Sequence, residues 1–487
     1  MERGSGVLLP MAALPSPNGI GCMGASAFDF IDFLADAGQK YWQLLPLGLT
    51  GPGGTPYTSP SSFAGNPDYI DLETLVSYGL LEEDELPRRP EGTADYGFLH
   101  ENRPELLRLA YKRGGEKYRA AVDEFAADKP WLENYAEFAA LKEKFGGAPW
   151  YSWPEGAKRR ESGALDVLRR ELADDVRRHK FLQWLFFRQY TQLRRRAGEK
   201  GVLLIGDMPI YVALDSADVW AEPWYFRLDG NCAPIEAAGV PPDYFCEDGQ
   251  LWGNPLYNWD AMRADGWGWW IRRMDGAARL YDAVRIDHFR ALASYWAVPF
   301  GESSAKNGVW REGPGMELLG TLKNWFSGTS FIAEDLGMLT PDVHELLRAS
   351  GLPGMKVLEF AFSPDAASSY LPHRYERNCV CYAGTHDNNT VLGWLDDIGP
   401  EERAFAAKYM GVSEGEGWCR AMLRTGMSSV ADVFIAQMQD LLEKPADCRT
   451  NIPGTAEGNW RWRMKPGECT PALAAELLEM TKMYGRL

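Results

Sequence analysis

Four short apolar runs in this chain each finish on a carboxylic acid, and that regularity restricts the fold more than any other feature. One spans residues 202–210 and carries Asp207. The second, Ala-Val-Arg-Ile-Asp over 283–287, ends on Asp287. The third, Phe-Ile-Ala-Glu over 331–334, ends on Glu334. The fourth runs from Cys379 to Thr385 and is followed by His386 and Asp387. Fully buried parallel strands read as continuous apolar runs, and polar residues at their carboxyl ends face a site rather than a core. A helix cap or a surface ion pair accounts for any one acid alone. Four at equivalent positions call for strand ends that converge.

The segments between such runs read as helices. Phe28, Ile31, Phe33 and Leu34 recur at helical spacing between apolar runs at 7–14 and 41–47, and Gly38 supplies the stop. This is a βαβ unit, so its strands are parallel. A helix over 342–349 has Pro341 at its start and Gly351 past its end. Strands fall near residues 8, 43, 204, 285, 332, 357 and 381, with an eighth near 451. Eight strands alternating with helices predict an α/β fold, a (β/α)8 TIM barrel with its site at the strand carboxyl ends. The reading is a single catalytic barrel over residues 1–487. A mostly helical insertion covers about 50–200, including one long helix from about 165 to 199. A loop and helix at about 213–270 lie over the site. The loop at 48–67 is rich in Gly, Pro, Ser and Thr, but Tyr57 and Phe63 within it and Tyr69 beyond it argue for an ordered, functional loop.

Charge and cysteine usage exclude several classes. With 51 basic and 68 acidic residues the net charge is −17, which disfavours a nucleic-acid groove or an anionic membrane surface. No run approaches the ~20 apolar residues of a membrane span. The first residues show no apolar segment of a signal peptide. The eight cysteines form no C-x-x-C pair, and Cys379 and Cys381 share one face of a strand, so packing is their expected role. The expected location is the reducing cytoplasm. The 19 Trp, 21 Tyr and 21 Phe leave two readings open: a large core, or rings that stack on sugar faces.

Converging carboxylates suit cleavage of a glycosidic bond, which needs one acid as nucleophile or base and another as proton donor. Arg285 beside Asp287 favours an ionised nucleophile. Glu334, facing the charges of Asp287 and Asp387, is expected to hold its proton and act as the acid. Asp387 can hold sugar hydroxyls and stabilise an oxocarbenium-like state. A catalytic metal is the rival reading. Only six His are present, no H-E-x-x-H occurs, and the arginines repel a cation. No phosphate-binding glycine loop or G-x-S-x-G stretch appears. Neither metal nor cofactor is therefore expected.

Arg285-Ile-Asp-His-Phe-Arg290, Ala333-Glu-Asp-Leu-Gly337 and Gly384-Thr-His-Asp-Asn388 resemble the catalytic blocks of the 4-alpha-glucanotransferases, the amylomaltases or disproportionating enzymes of glycoside hydrolase family 77. Pro56-Tyr57 through Pro67, 206–210, 249–255, 354–362, and 451–455 with 459–463 are similar to that family in its order. The resemblance implies an alpha-amylase-like barrel without a separate C-terminal β-domain, and a retaining double displacement without metal or cofactor. It implies Asp287 as nucleophile, Glu334 as acid/base and Asp387 as transition-state stabiliser. Tyr57, Asp207, Arg285 and His386 would line the reacting sugar. Trp252, Tyr244 and Phe245, with Asn254, would sit on a loop over the acceptor side. The implied partners are malto-oligosaccharides and alpha-1,4-glucans as donor and acceptor, and glucose as acceptor. Thr58, Glu359, Asn389 and the segment 245–249 depart from the family pattern, which leaves acceptor preference open. An alpha-glucan hydrolase would use the same carboxylates, and a glucan-binding protein without activity would keep the aromatics. An aromatic lid that excludes water and binds an acceptor favours transfer.

Overall fold

The computed structural model describes residues 1–487 except 90–91, 243–246, 338, 414 and 456. Eight parallel strands form its centre: β1 (Gly4–Leu8), β2 (Tyr41–Gln43), β3 (Leu203–Met208), β4 (Ala283–Ile286), β5 (Ser330–Ala333), β6 (Gly354–Val357), β7 (Cys379–Tyr382) and β8 (Val433–Gln437). Their hydrogen-bonded order is β6-β7-β8-β1-β2-β3-β4-β5, and every pairing is parallel. The open ends meet where the Ala333 N–H donates to the Pro353 carbonyl at 2.9 Å, nearly closing a (β/α)8 barrel.

Strand periodicity builds the site. Side chains alternate between the two faces of a strand, so every second residue enters the barrel. Leu8, Tyr41, Ile205, Ala283, Ile332, Met355, Val357, Val380, Tyr382, Val433 and Ile435 form one buried apolar cluster, separate from the packing between strands and helices. Two residues beyond members of that layer come Gln43, Asp207, Arg285, Glu334 and Gln437. A polar crown thus rests on an apolar floor, as expected at the carboxyl end of such a barrel. Cys379 and Cys381 take the opposite phase on β7 and pack in the outer core.

The eighth strand differs from the expectation. It is Val433–Gln437, fully buried, and not the stretch near 451. The described residues of 449–463 are irregular chain that returns over the barrel mouth. The apolar run Val-Phe-Ile-Ala is the real strand signal, whereas Pro453 and Gly454 break regular structure. The long helix near 165–199 is two helices, Ser162–Glu171 and Ala173–Glu199. Between β2 and β3 the described elements are helices and 3-10 turns, with Ala173–Glu199 leading back to β3. A four-stranded antiparallel sheet was not legible in the sequence. Its strands pair in the order Gln250–Pro255, Glu236–Val240, Ser294–Pro299 and Val309–Glu312. Most of the tryptophans settle as core: Trp42, Trp150, Trp220, Trp269 and Trp270 are all buried.

The corrected eighth strand makes a direct test. Ile435 is buried in the barrel floor, whereas Ile452 is 48% exposed. Ile435→Ala should cost about 2–5 kcal/mol in denaturant unfolding, and Ile452→Ala should stay within roughly 0.5 kcal/mol. The reverse ranking would place the eighth strand near 451 after all.

Candidate active site

The register of β3 against β4 puts Asp207 beside Arg285. One guanidinium nitrogen, Arg285 Nη1, donates to Asp207 Oδ1 at 2.7 Å and Oδ2 at 2.8 Å, and to Asp287 Oδ1 at 3.0 Å. Arg285 and Asp207 are buried, while the Asp287 side chain is 26% exposed. A buried charge is tolerable only when paired and hydrogen-bonded. Here the cation satisfies one acid below and fixes another at the mouth.

Tyr57 extends this network. Its hydroxyl donates to Asp207 Oδ2 at 2.6 Å and lies 2.8 Å from His386 Nε2. The hydroxyl has one proton, already given to Asp207, so His386 must donate through Nε2–H. Burial lowers the pKa of His386 and raises that of Tyr57 well above its ordinary range, so both rings are neutral. The same His386 nitrogen is 3.4 Å from Asp387 Oδ1.

Glu334 follows β5 directly. Its Oε2 accepts the His288 N–H at 2.7 Å, and its Oε1 accepts the Leu336 N–H at 2.8 Å. His288 is left-handed, with φ 48° and ψ 49°. That conformation costs a non-glycine residue roughly 1–2 kcal/mol, and it presents the His288 N–H to Glu334. Burial and then the charge of Asp287 push the Glu334 pKa up, overcoming the pull of Arg285 and the two N–H donors. Glu334 therefore holds a proton through the range where ordinary carboxyls have lost theirs.

Asp287 departs from the simple expectation. Burial raises its pKa as well, with Asp207 and Asp387 adding to the rise, and Arg285 only offsets part of it. The two acids titrate as a pair. Because Arg285 donates to Asp287 and not to Glu334, Asp287 is the member that ionises first, and its charge then keeps the proton on Glu334.

Asp387 stands five residues past β7 on the turn that carries His386. Asn451 Nδ2 donates to its Oδ1 at 2.6 Å, and Arg449 Nη2 donates to its carbonyl at 2.5 Å. The chain near 451 is therefore a clamp on Asp387. Gly384 opens this turn because a Cβ there would lie 2.5 Å from Glu359 Oε1 and 2.9 Å from Gln437 Nε2.

Trp252, on Gln250–Pro255, stands edge-on to His288 with ring centroids 4.8 Å apart, and is 37% exposed. Asn254 Nδ2 donates to the Val212 carbonyl at 2.8 Å, tying this strand to the chain after β3. Tyr244 and Phe245 lie outside the described residues. The structure thus gathers Tyr57, Asp207, Arg285, Asp287, Glu334, His386 and Asp387 at one mouth, with Trp252 adjoining through His288. Three neighbours were not singled out from sequence as site residues: Asn451, Arg449 and Trp460, whose ring lies 5.8 Å from Tyr57 and 6.0 Å from His386. The signal for Asn451 and Trp460 was present in the blocks 451–455 and 459–463, whereas Arg449 lies just before them. Among the described residues no three His, Cys, Asp or Glu side chains are grouped so as to hold a metal ion.

The family model described as 4-alpha-glucanotransferase, glycoside hydrolase family 77, matches residues 9–470. The chain belongs to that family. It is 46% identical over 494 residues to the 4-alpha-glucanotransferase of Streptococcus pneumoniae serotype 4, covering all of this chain and 98% of that one. It is 45% identical over 501 residues to that of Thermus thermophilus, covering all of both. Among solved structures, the amylomaltase from Streptococcus agalactiae in complex with acarbose superposes with a TM-score of 0.97 at 40% identity, across the whole of both chains. Amylomaltase from Corynebacterium glutamicum shares the fold at a TM-score of 0.77 and 20% identity, over 99% of this chain and 74% of that one.

The raised Glu334 carboxyl gives a stability prediction of definite sign. In the unfolded chain Glu334 ionises in the ordinary carboxyl range, while the folded protein retains its proton to higher pH. Folding stability therefore falls as pH rises between those limits. Replacing Glu334 with Gln removes that loss. The melting temperature of Glu334→Gln relative to the parent should increase from pH 5 to pH 8; a constant difference would mean that Glu334 titrates normally.

Proposed function

We propose that the protein transfers 4-alpha-glucanosyl segments between 1,4-alpha-glucans, or to glucose, by a retaining double displacement. The observation that carries this reading is the unequal support of two neighbouring acids. Arg285 grips Asp287 Oδ1, whereas Glu334 is half-buried and, among the described residues, accepts hydrogen bonds only from backbone N–H groups.

In the first half-reaction an Asp287 carboxylate oxygen forms a bond to C1 of the donor sugar. The bond from C1 to the bridging oxygen breaks, and Glu334 gives its proton to that oxygen as the segment departs. In the second half, Glu334 takes the proton of an incoming 4-OH, that oxygen bonds to C1, and Asp287 is released as carboxylate. Two inversions retain the alpha configuration. Asp387, positioned by Asn451 and Arg449, holds sugar hydroxyls and the charge developing on the ring. Tyr57, Asp207 and His386 bind the same sugar, with Arg285 fixing the frame. Trp252 and Asn254, with Tyr244 and Phe245, belong to the acceptor side. Donors and acceptors are malto-oligosaccharides and alpha-1,4-glucans, and glucose is the shortest acceptor. Transfer prevails over hydrolysis when the aromatic flank holds an acceptor sugar where water would otherwise attack.

We take residues 1–487 as one catalytic unit. The helices between β2 and β3 pack around the barrel, and the antiparallel sheet meets its mouth through Trp252 and His288. We also place the protein in the cytoplasm, in keeping with the seven cysteines among the described residues, all free, of which Cys379 and Cys381 pack in the outer core. Among the described residues no helix is long and apolar enough to cross a membrane.

Incubation with maltotriose should yield glucose together with a ladder of longer chains. Reducing ends rising without a ladder would identify a hydrolase. Glu334→Gln should lower kcat by about 10²–10⁴-fold, with KM changed far less. The wild-type kcat/KM should decline on the acid side as Asp287 gains a proton. Its alkaline limb should fall above the ordinary carboxyl range, as Glu334 loses one. An alkaline limb inside that range would contradict Glu334 as the acid.

A further inference from the structure

The turn after β4 carries His288 and Arg290, two residues apart, and each holds an indole with an open face. Trp252 meets His288, as described above. Trp310, on the edge strand Val309–Glu312, lies over the Arg290 guanidinium, 4.2 Å from its carbon to the ring centroid, and is 44% exposed. The Arg290 cation in turn lies within range of the charges of Asp342, Glu334 and Tyr211. The two open indoles therefore adjoin Glu334 through the two basic residues of a single turn.

Trp310 is built in place. It pairs across the sheet with Trp296, the two rings 5.1 Å apart and inclined at 65°. Trp296 is itself fixed by its indole N–H, which donates to the Ala305 carbonyl at 2.8 Å. Just past the strand, the Gly313 N–H donates to the Ala293 carbonyl at 2.7 Å, tying it to the turn after β4. One ring face covers a cation, one edge packs on Trp296, and much of the remainder is open. A rigid, exposed aromatic ring continuous with a catalytic mouth is suited to the C–H face of a sugar.

We propose that Trp310 is a specificity-determining platform that stacks a sugar of the glucan chain on the Glu334 side of the cleft, beyond the sugar that meets Glu334. This rests on the glucanotransferase reading and deepens it. Trp310 is related to Glu334 through Arg290, which it covers and which feels the Glu334 charge, so on this proposal a lone glucose at Glu334 stops short of the ring, while a longer acceptor extends to it.

The test measures transfer from maltotriose to radiolabelled glucose and to radiolabelled maltopentaose. It uses the wild type, Trp310→Leu and Trp310→Phe. Maltotriose releases only glucose when it gives up a maltosyl unit, so the donor half is common to both acceptors. Trp310→Leu should lose roughly tenfold in kcat/KM for maltopentaose, through KM, while glucose changes by less than about twofold. Trp310→Phe, which keeps a ring and the packing on Trp296, should retain most of the maltopentaose rate. Equal losses on both acceptors, or no loss on maltopentaose, would overturn the proposal. So would a change in oligomeric state on ultracentrifugation without a chain-length effect, which would make Trp310 a contact between copies. If the wild type transfers to neither acceptor, the glucanotransferase reading itself fails, and this proposal with it.

Discussion

The buried guanidinium of Arg285 is the constraint to which the rest of the site answers. It stands inside the barrel, above the apolar floor, and a cation there must be paired. Asp207 meets that need from the adjoining strand at 2.7 and 2.8 Å. Removing one partner of such a pair typically costs about 3–5 kcal/mol, because the other charge is left stranded. The β3–β4 register is what aligns the two residues. A one-residue slip of either strand would turn its own member of the pair to the opposite face. Fold and site are in this sense one specification.

From that pair the charges are distributed outward. Arg285 reaches Asp287, so the acid at the mouth has a hydrogen bond from a cation that, among the described residues, Glu334 lacks. Tyr57 and His386 are kept neutral by burial and carry hydrogen bonds outward from Asp207 as far as His386, whose Nε2 lies 3.4 Å from Asp387 Oδ1. Among the described residues Glu334 receives only backbone donors, one of them supplied by His288 in a left-handed conformation. Neighbouring acids thus acquire different proton affinities without a metal ligand set among the described residues. The difference follows from which strand end each occupies and which donors that end can bring.

Much of this was legible in the sequence, for a physical reason. Short apolar runs ending in acids report both the parallel strand and the position of its last side chain. Asp207, Arg285, Asp287 and Glu334 could therefore be assigned to a common mouth before any coordinates. The eighth strand was misplaced because Val433–Gln437 ends in an amide and lacks the terminal acid that marked other strands, and the eighth strand was read near 451, in a loop. That loop matters for another reason, since Asn451 donates to Asp387 at 2.6 Å. The antiparallel sheet was hidden because its strands are split between two segments separated by β4. Its pairing is long-range, and local periodicity does not carry such pairing. The net effect on Asp287 also escaped. Sequence shows that Arg285 is near, but burial outweighs the guanidinium, and burial depends on the whole barrel. Many of the tryptophans went to the core, and two of the four exposed ones among the described residues, Trp252 and Trp310, sit on the hidden sheet.

The central claim is that Asp287 bonds covalently to the donor sugar while Glu334 manages the proton. The most direct measurement uses Glu334→Gln with alpha-maltosyl fluoride, a donor whose leaving group departs without protonation. Without the base, the intermediate should accumulate. Peptide mass spectrometry after an acid quench should find one maltosyl adduct, on the peptide containing Asp287, and none in Asp287→Asn. An adduct on Asp387 or Asp207, or donor turnover with an inverted product and no adduct, would contradict the account.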